Sequence, residues 1–264
     1  MILVTGGAGV IGSRLVKGLA DAGHRVRVLT LPGDPYVSRL DGLDVEIAYG
    51  DVSDASTLEG VFDGVDTVFH LAAILLNDNP EIFARVNAGG TRNLVEASTK
   101  AGVQHFIFCS SISVTYPYTT PYNASKREGE RIVKEQGAMK WTIVRPTLAY
   151  NENGGEEYAM FVDFLKKYPV GIFVGRGRAL KNPVHVDDLM KGFLAIPGNP
   201  NAPFKWAYPP ICMIPLRACF ARRFPVSPAT DLLAASTPFS AKLNFIRTFS
   251  KSWATSSVPC LLGS

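Results

Sequence analysis

Short apolar runs alternate with helix-length amphipathic stretches along most of the chain, the pattern of a parallel sheet covered by helices on both faces. Met1–Thr5 is predicted as a buried first strand. Val10–Ala22 follows as a helix, because Ile11, Leu15, Val16 and Leu19 share one face at helical spacing. Gly23 is placed to stop it, as a glycine does just past a last helical turn. Arg25–Thr30 and Val45–Tyr49 read as the second and third strands, followed by a short helix capped by Ser53 or Asp54 and running through Phe62. Thr67–Leu71 is the fourth strand. Asn79-Pro80 supplies the cap and first turn of a long helix towards Lys100, with a kink or close packing expected at Gly89 and Gly90. His105–Cys109, Tyr122–Gln136 and Trp141–Arg145 add a strand, a helix and a sixth strand. Right-handed crossovers then give an α/β fold, a doubly wound parallel sheet of Rossmann type over residues 1–150.

Past residue 150 the pattern loosens. Glu157–Lys167 and Val186–Ile196 still read as helices, so 151–200 is expected to begin a small substrate lobe interleaved with the first domain. Beyond Asn201 no strand or helix template fits. Residues 201–264 hold seven Lys/Arg against one acid, Asp231, whereas the rest of the chain carries a slight acidic excess. A basic segment can serve nucleic acid or anionic lipid. So abrupt a change of composition instead favours a C-terminal lobe that is incomplete or divergent, or a tail that is frameshifted near residue 200 or disordered. On that reading nucleic acid is not a partner, and an intact frame on resequencing would exclude the frameshift.

Composition narrows the class further. With 47% hydrophobic and 19% charged residues the chain reads as globular rather than disordered. No apolar run approaches the roughly 18 residues of a membrane span. Met1 leads straight into Ile2-Leu3-Val4 without a basic leader, so a cytoplasmic address and no membrane association are expected. Cys109, Cys212, Cys219 and Cys260 form no CxxC pair and have no histidine at ligand spacing, so no metal site is expected. Cys109 closes an apolar run and reads as a small hydrophobe.

The candidate chemistry lies at strand ends. Thr5-Gly6-Gly7-Ala8-Gly9-Val10-Ile11-Gly12 sets Gly6, Gly9 and Gly12 between a strand and a helix. The first permits a tight turn, the second lets backbone approach a pyrophosphate, and the third allows close helix–strand packing. A glycine-rich match alone is weak, but the flanking strand and helix make it a dinucleotide signal. The acid that grips the adenosine ribose normally ends the second strand. Here Thr30 stands near that position, Asp34 comes late in a turn, and no arginine is evident nearby, so NAD or NADP both remain open.

Tyr122-Asn123-Ala124-Ser125-Lys126 places a phenol and an ammonium one helical turn apart on one face. A phenol with a pKa near 10 is a poor base at neutral pH, and a neighbouring cation favours its phenolate. Such a pair can take a proton from an alcohol as hydride leaves, or return it to an alkoxide. Tyr and Lys at this spacing also occur on ordinary helices. Ser110-Ser111-Ile112-Ser113 follows the fifth strand, where a hydroxyl can hold a substrate oxygen, although serines there also serve as turn residues. The three features together favour catalysis.

These motifs resemble the extended short-chain dehydrogenase/reductase superfamily, in its NAD-dependent epimerase/dehydratase group, over about residues 1–196. The likeness rests on Thr5–Gly12, Gly50-Asp51-Val52, His70–Ala73, Asn87 with Gly90-Thr91, Ser110-Ser111, Tyr122–Lys126, Arg145-Pro146 and Val184–Asp188. It implies Val10 and Ile11 amides at the pyrophosphate and Asp51 and Val52 beside the adenine. It also implies Leu71, Ala72 and Ala73 along the path to the nicotinamide, Asn87 behind that wall, and Pro146 flanking the ring. Ser111 is the better match to the active-site hydroxyl and Ser110 the second. Tyr122 would be the acid/base, with Lys126 holding the nicotinamide ribose. His185–Asp188 could equally be a capped helix start. Similar proteins form homodimers through the helices spanning Asn87–Lys100 and Tyr122–Gln136.

Three departures leave the reaction open. Eleven positions separate Ser111 from Tyr122, short for a sugar-nucleotide epimerase. Thr147-Leu148-Ala149-Tyr150 lacks an asparagine that holds the sugar nucleotide in several of those enzymes. The segment around Lys205-Trp206-Ala207 does not resemble the substrate lobe. An epimerase or dehydratase acting on a nucleotide sugar therefore stands beside a carbonyl reductase or hydroxysteroid-like dehydrogenase, and beside a non-catalytic dinucleotide-binding protein.

Overall fold

The computed structural model describes residues 1–150, 180–181, 183–202, 205–207 and 214–215. In chain order the strands are β1 (Ile2–Thr5), β2 (Val26–Thr30), β3 (Glu46–Tyr49), β4 (Thr67–His70), β5 (His105–Cys109), β6 (Lys140–Val144), β7 (Leu148–Tyr150), β8 (Leu180–Lys181), β9 (Pro183–His185), β10 (Lys205–Ala207) and β11 (Ile214–Pro215). The helices are α1 (Val10–Asp21), α2 (Pro80–Ile82), α3 (Gly90–Ala101), α4 (Pro121–Glu135) and α5 (Val186–Leu194). The predicted helix Glu157–Lys167 lies outside the described residues.

Met1–Thr147 and Asp187–Pro209 form one compact unit. Its seven strands run in the order β10-β6-β5-β4-β1-β2-β3, and every neighbouring pair is parallel. The order reverses between β1 and β4, so the crevice beyond their C-terminal ends is where a doubly wound sheet accepts a ligand. Alternation along the strands divides the core. Leu3, Leu29, Val68, Phe106, Phe108 and Ile143 pack with Leu94 and Val95 of α3 and Ile132 and Val133 of α4. On the other face Phe69 meets Phe193 of α5 edge-on at 6.1 Å, and Leu15, Val16 and Leu19 of α1 are fully buried. Apolar burial of this kind stabilises at about 25 cal/mol per Å².

The second unit comprises Leu148–Val186 and Pro210–Ser264. Among its described residues, β7 pairs in parallel with β9, and β8 pairs antiparallel with β11. Among the described residues, no helix is long and apolar enough to cross a membrane.

Three local departures from the periodicity have physical reasons. The segment after Asp54 is a 3-10 helix that stops at Leu58 instead of reaching Phe62; Gly60, with φ +70°, turns the chain where a helix would have continued. The long helix expected from Pro80 is interrupted by π-helical turns over Phe83–Gly89 instead of a glycine kink. A Cβ on Gly90 would lie 2.8 Å from Val52 Cγ2, so the glycine lets the start of α3 close on that neighbour. Finally, the chain past Asn201 reads as patternless, yet Lys205–Ala207 pairs with Thr142–Val144 and becomes the seventh strand. Backbone pairing at an edge needs no side-chain period, and three residues are too few to display one.

Candidate active site

The glycine turn is built for close approach. Gly6 holds φ +69°, and a Cβ there would stand 2.7 Å from Ala72 N. A Cβ on Gly12 would fall 2.1 Å from Gly6 O, so only glycine lets α1 start this close to the turn. Gly9 is the N-cap of α1, no side chain caps it, and the first turn carries no acid. The leading amides of this 12-residue helix, those of Val10 and Ile11 among them, therefore lack a carboxylate or hydroxyl partner from the chain's own cap. Amide donors at the positive end of a helix dipole suit an anionic diphosphate. The residues present fit a dinucleotide here.

The wall beside the turn is Leu71–Ala73. Leu71 N donates to Thr5 O at 3.1 Å and Ala72 N to Thr5 Oγ1 at 3.3 Å, extending the β1–β4 pairing past the strand ends. Beneath it lies buried His70, with Nδ1 2.8 Å from Thr5 Oγ1 and Nε2 3.0 Å from Thr91 Oγ1. Thr91 Oγ1 donates to Asn87 O at 2.6 Å, so His70 Nε2 must carry the proton and Nδ1 accepts from Thr5. Burial, helped by the nearby Lys126 charge, pushes the His70 pKa down to about 3, so the ring is neutral. Asn87 then clamps the wall. Its Oδ1 accepts from Ile74 N at 2.8 Å, and its Nδ2 donates to Ile74 O and to Ser125 Oγ, both at 3.0 Å.

Ser125 belongs to α4, whose start is tightly defined. Thr120 Oγ1 accepts from Asn123 N at 3.1 Å while Asn123 Oδ1 accepts from Thr120 N at 2.9 Å, a capping box followed by Pro121 in the first turn. Tyr122 is half-buried and meets Phe83 edge-on at 6.4 Å. One turn later Lys126 is almost fully buried; its Nζ donates to Cys109 O at 2.9 Å and lies 5.0 Å from the centre of the Phe108 ring. Burial lowers its pKa, opposed by Cys109 and Glu130. Cys109 itself is buried, with its thiol pKa raised by that burial, in keeping with a packing role.

The two adjacent serines are used differently. Ser110 is buried and donates to Glu130 Oε1 at 2.7 Å. Ser111 is half-buried, and its Oγ accepts from Ser113 N at 3.2 Å and lies 2.9 Å from Ser113 Oγ. The serine loop is held flush with the next strand end: Ser110 N donates to Val144 O at 2.7 Å, and Ile112 N to Pro146 O at 2.9 Å. Pro146 is buried beside it. Glu130 also takes Arg145, with Nε at 2.7 Å and Nη2 at 2.5 Å. Burial alone would raise the Glu130 carboxyl, but hydrogen bonds from Arg145 and Ser110 hold it below the usual range. Sequence reasoning missed this Glu130–Arg145 pair and the role of Ser125. The available signal was Glu130, one turn after Lys126 on the same helical face.

Just past the end of β3, Asp51 Oδ1 accepts from Ser53 N at 2.8 Å. Val52 packs its side chain in the core, and its carbonyl accepts from Asn93 Nδ2 at 2.9 Å. No arginine stands in place of the missing acid at the end of β2; Arg39, on a 3-10 turn over Val37–Leu40, places Nη1 3.1 Å from Ala8 O inside the glycine turn. Arg39 lies 31 positions along the chain from Ala8, so the contact is set by how the intervening segments fold and not by a local motif. At the start of α5, Asp187 Oδ1 accepts from Arg14 at 2.8 Å and Asp188 Oδ1 from Lys191 at 2.8 Å, both exposed pairs. His185 meets Tyr150 edge-on at 5.2 Å. Among the described residues, no group of three His, Cys, Asp or Glu side chains is placed to hold a metal ion.

A seven-stranded Rossmann unit with a glycine turn over α1 and a Ser/Tyr/Lys set at the same end of the sheet defines a dinucleotide-fold protein of the short-chain dehydrogenase/reductase type. More narrowly, the chain belongs to the NAD dependent epimerase/dehydratase family, whose model matches residues 2–205. It is 32% identical over 225 residues to a 3 beta-hydroxysteroid dehydrogenase/Delta 5-->4-isomerase of Mycobacterium tuberculosis, covering 73% of this chain and 59% of the relative. A ceramide reductase of Caulobacter vibrioides is 34% identical over 161 residues, 61% of this chain and 50% of the relative. The chain thus spans less than two-thirds of the length of these curated relatives. Among solved structures, a UDP-galactose 4-epimerase superposes with a TM-score of 0.61 at 27% identity, covering 74% of this chain and 70% of the other.

Proposed function

We propose that this protein is an NAD(P)-dependent dehydrogenase or reductase acting at a secondary alcohol or ketone of an apolar, hydroxysteroid-like substrate. In this reading Ser111, Tyr122 and Lys126 are catalytic. Gly6, Gly9, Val10, Ile11 and Gly12 hold the diphosphate, Asp51 and Val52 the adenine side, and Leu71–Ala73, Asn87 and Pro146 the nicotinamide side. The observation that carries the substrate class is an apolar rim. Leu75 (54% exposed) and Leu76 (58%) follow Ile74, the residue clamped by Asn87, and Tyr118 (53%) precedes the cap of the catalytic helix. Its carbonyl accepts from Asn123 Nδ2 at 3.0 Å. Large apolar side chains left in water next to the Asn87-clamped wall and just before the cap of α4 suit a ring system or alkyl chain better than a sugar diphosphate. The similarity to a hydroxysteroid dehydrogenase and a ceramide reductase supports the same class.

A bound nicotinamide supplies the two-electron acceptor or donor. In the oxidative direction Tyr122 takes the hydroxyl proton of the substrate as the carbinol C–H bond breaks and the C=O bond forms. Ser111 donates its own proton in a hydrogen bond to that oxygen, and Lys126, enclosed under the strand end, supplies the positive charge that favours a phenolate. The reductive direction reverses each transfer.

The test supplies purified protein with oxidised NAD or NADP and a 3β-hydroxysteroid, and follows reduced nicotinamide by absorbance. Reduced cofactor should accumulate, and Tyr122→Phe should slow it by about 10²–10⁴-fold. An unchanged rate in that variant would remove the acid/base assignment. Turnover of UDP-galactose with no net change in nicotinamide would replace this reading by the nucleotide-sugar epimerase.

A further inference from the structure

We propose that Arg127 is a positioning residue of this site: its guanidinium pins the loop over 114–119 to α4 and so presents the Tyr116–Tyr118 aromatic pair, already ordered, to the apolar part of the substrate. This rests on the hydroxysteroid-like reading above. The loop joins Ser111 to Tyr122 across eleven positions. Past the 3-10 turn at Ile112–Thr115 it has no strand or helix of its own until α4 begins at Pro121. Its carbonyls therefore need partners from elsewhere. Lys126 faces inward to Cys109 O, and the next side chain, about 100° round the helix, reaches the loop instead. Arg127 Nε donates to Val114 O at 2.8 Å, Nη2 to Tyr116 O at 2.8 Å and Nη1 to Thr119 Oγ1 at 3.2 Å. All three guanidinium nitrogens are thus spent on one short stretch of chain, and a planar fork fixes it in direction as well as distance.

What the fork holds is aromatic. The rings of Tyr116 and Tyr118 lie 5.4 Å apart with their planes at 41°, and Tyr118 is one of the large apolar side chains left exposed. The Tyr118 carbonyl is gripped separately by Asn123 Nδ2 at 3.0 Å, so α4 fixes both residues of the pair through their backbone. Ser111 is anchored differently. Ile112 N is tied to Pro146 O at 2.9 Å, and Ser113 N and Oγ close on Ser111 Oγ, contacts that do not use Arg127. This division gives Arg127 to the binding of the substrate's apolar body and leaves the hydroxyl that meets the reacting oxygen to the strand ends. A loop that must be ordered as its ligand arrives costs affinity, and one ordered beforehand does not.

Steady-state kinetics of Arg127→Met and of the unaltered chain, on a 3β-hydroxysteroid and on the single-ring secondary alcohol cyclohexanol, tests the assignment. KM for the steroid should rise by about ten- to a hundred-fold, with kcat and the KM for cyclohexanol moving far less. Arg127→Lys keeps the charge, loses the fork, and should fall between. Tyr118→Ala should raise the steroid KM as well, and adding Arg127→Met to it should raise KM much less than it does in the unaltered chain, because both changes remove the same contact. Hydrogen exchange reads the loop without substrate: amides of residues 114–119 should exchange faster in Arg127→Met while those of α4 keep their protection. Unchanged exchange in the loop, protection lost throughout α4, or equal losses on the two alcohols would overturn the assignment. An unaltered chain that turns over neither alcohol would overturn the hydroxysteroid-like reading and this inference together, whereas a steroid KM unmoved in Arg127→Met would overturn this inference alone.

Discussion

His70 is a titratable group that the fold keeps neutral. Its ring lies between Thr5 and Thr91, receives a proton on one nitrogen, donates from the other, and has no room for a second proton. Protonation would cost one of these hydrogen bonds and place a charge near Lys126. The folded pKa of about 3 lies below the ordinary 6.5. Between those values the unfolded chain binds a proton that the folded chain refuses, so stability rises with pH across that window and is flat, for this group, above it. The loss on acidification approaches about 1.4 kcal/mol per pH unit below 6.5. Melting temperatures measured from neutral pH to about pH 5 should therefore fall more steeply for the unaltered chain than for His70→Gln. Parallel slopes would show that His70 titrates normally in the fold. Carboxylates such as Glu130 also lose stabilising contacts in acid, which is why the difference in slope between the two chains is the quantity to compare.

At the scale of elements, the Glu130–Arg145 pair joins α4, the end of β5 and the end of β6. Glu130 receives both Ser110 and Arg145, so one carboxylate registers α4 against the serine loop. Replacing Arg145 by Met would leave that carboxylate buried beside Ser110, with the longer 3.6 Å contact from Lys134 and the charge of Lys126 nearby. Breaking a buried pair from one side costs about 3–5 kcal/mol. Chemical denaturation of Arg145→Met should show a loss of that order, and the double variant Arg145→Met with Glu130→Leu should recover part of it. A single variant as stable as the unaltered chain would show that the pair carries no such burden. The same elements show what was legible beforehand. The first six strands and the helices α1, α4 and α5 were readable within a residue or two, because each buries a stripe or a run with its own period. The glycine turn and the Tyr122–Lys126 spacing were readable because backbone approach and helical phase constrain them locally. The contacts of Arg39 and Glu130 were not readable, because their partners Ala8, Ser110 and Arg145 are set by loop folding and by strand order. The Phe83–Gly89 π segment was hidden too: its extra residue per turn serves the Asn87 contacts to Ile74 and Ser125, which no helical period records.

At the scale of the whole molecule, the homodimer expected from the family resemblance raises the question of what α3 and α4 could offer a second copy. Their outward residues are charged. Arg92 of α3 pairs with Glu128 of α4 at 3.3 Å, and Arg131 pairs with Glu128 at 2.6 Å and also with Glu135. Arginines and glutamates mixed on one face can be self-complementary about a two-fold axis. Each of these pairs is already satisfied within one chain, however, and exposed pairs contribute only about 0–1 kcal/mol each. Tight, obligate interfaces draw on an apolar centre instead. A homodimer through these two helices is therefore expected to be weak and to dissociate as salt rises, since screening acts on exposed charges within about 8–10 Å. Light scattering over a range of protein and salt concentrations should show the weight-average mass falling from near twice the chain mass towards one chain mass. Arg131→Glu should shift that transition to higher protein concentration, because beside Glu128 and Glu135 it makes the α4 face uniformly acidic and self-repelling. A dimer indifferent to both salt and Arg131→Glu would mean that the two copies meet through some other surface, and a monomer at every concentration would mean that these charged helix faces serve solvent alone.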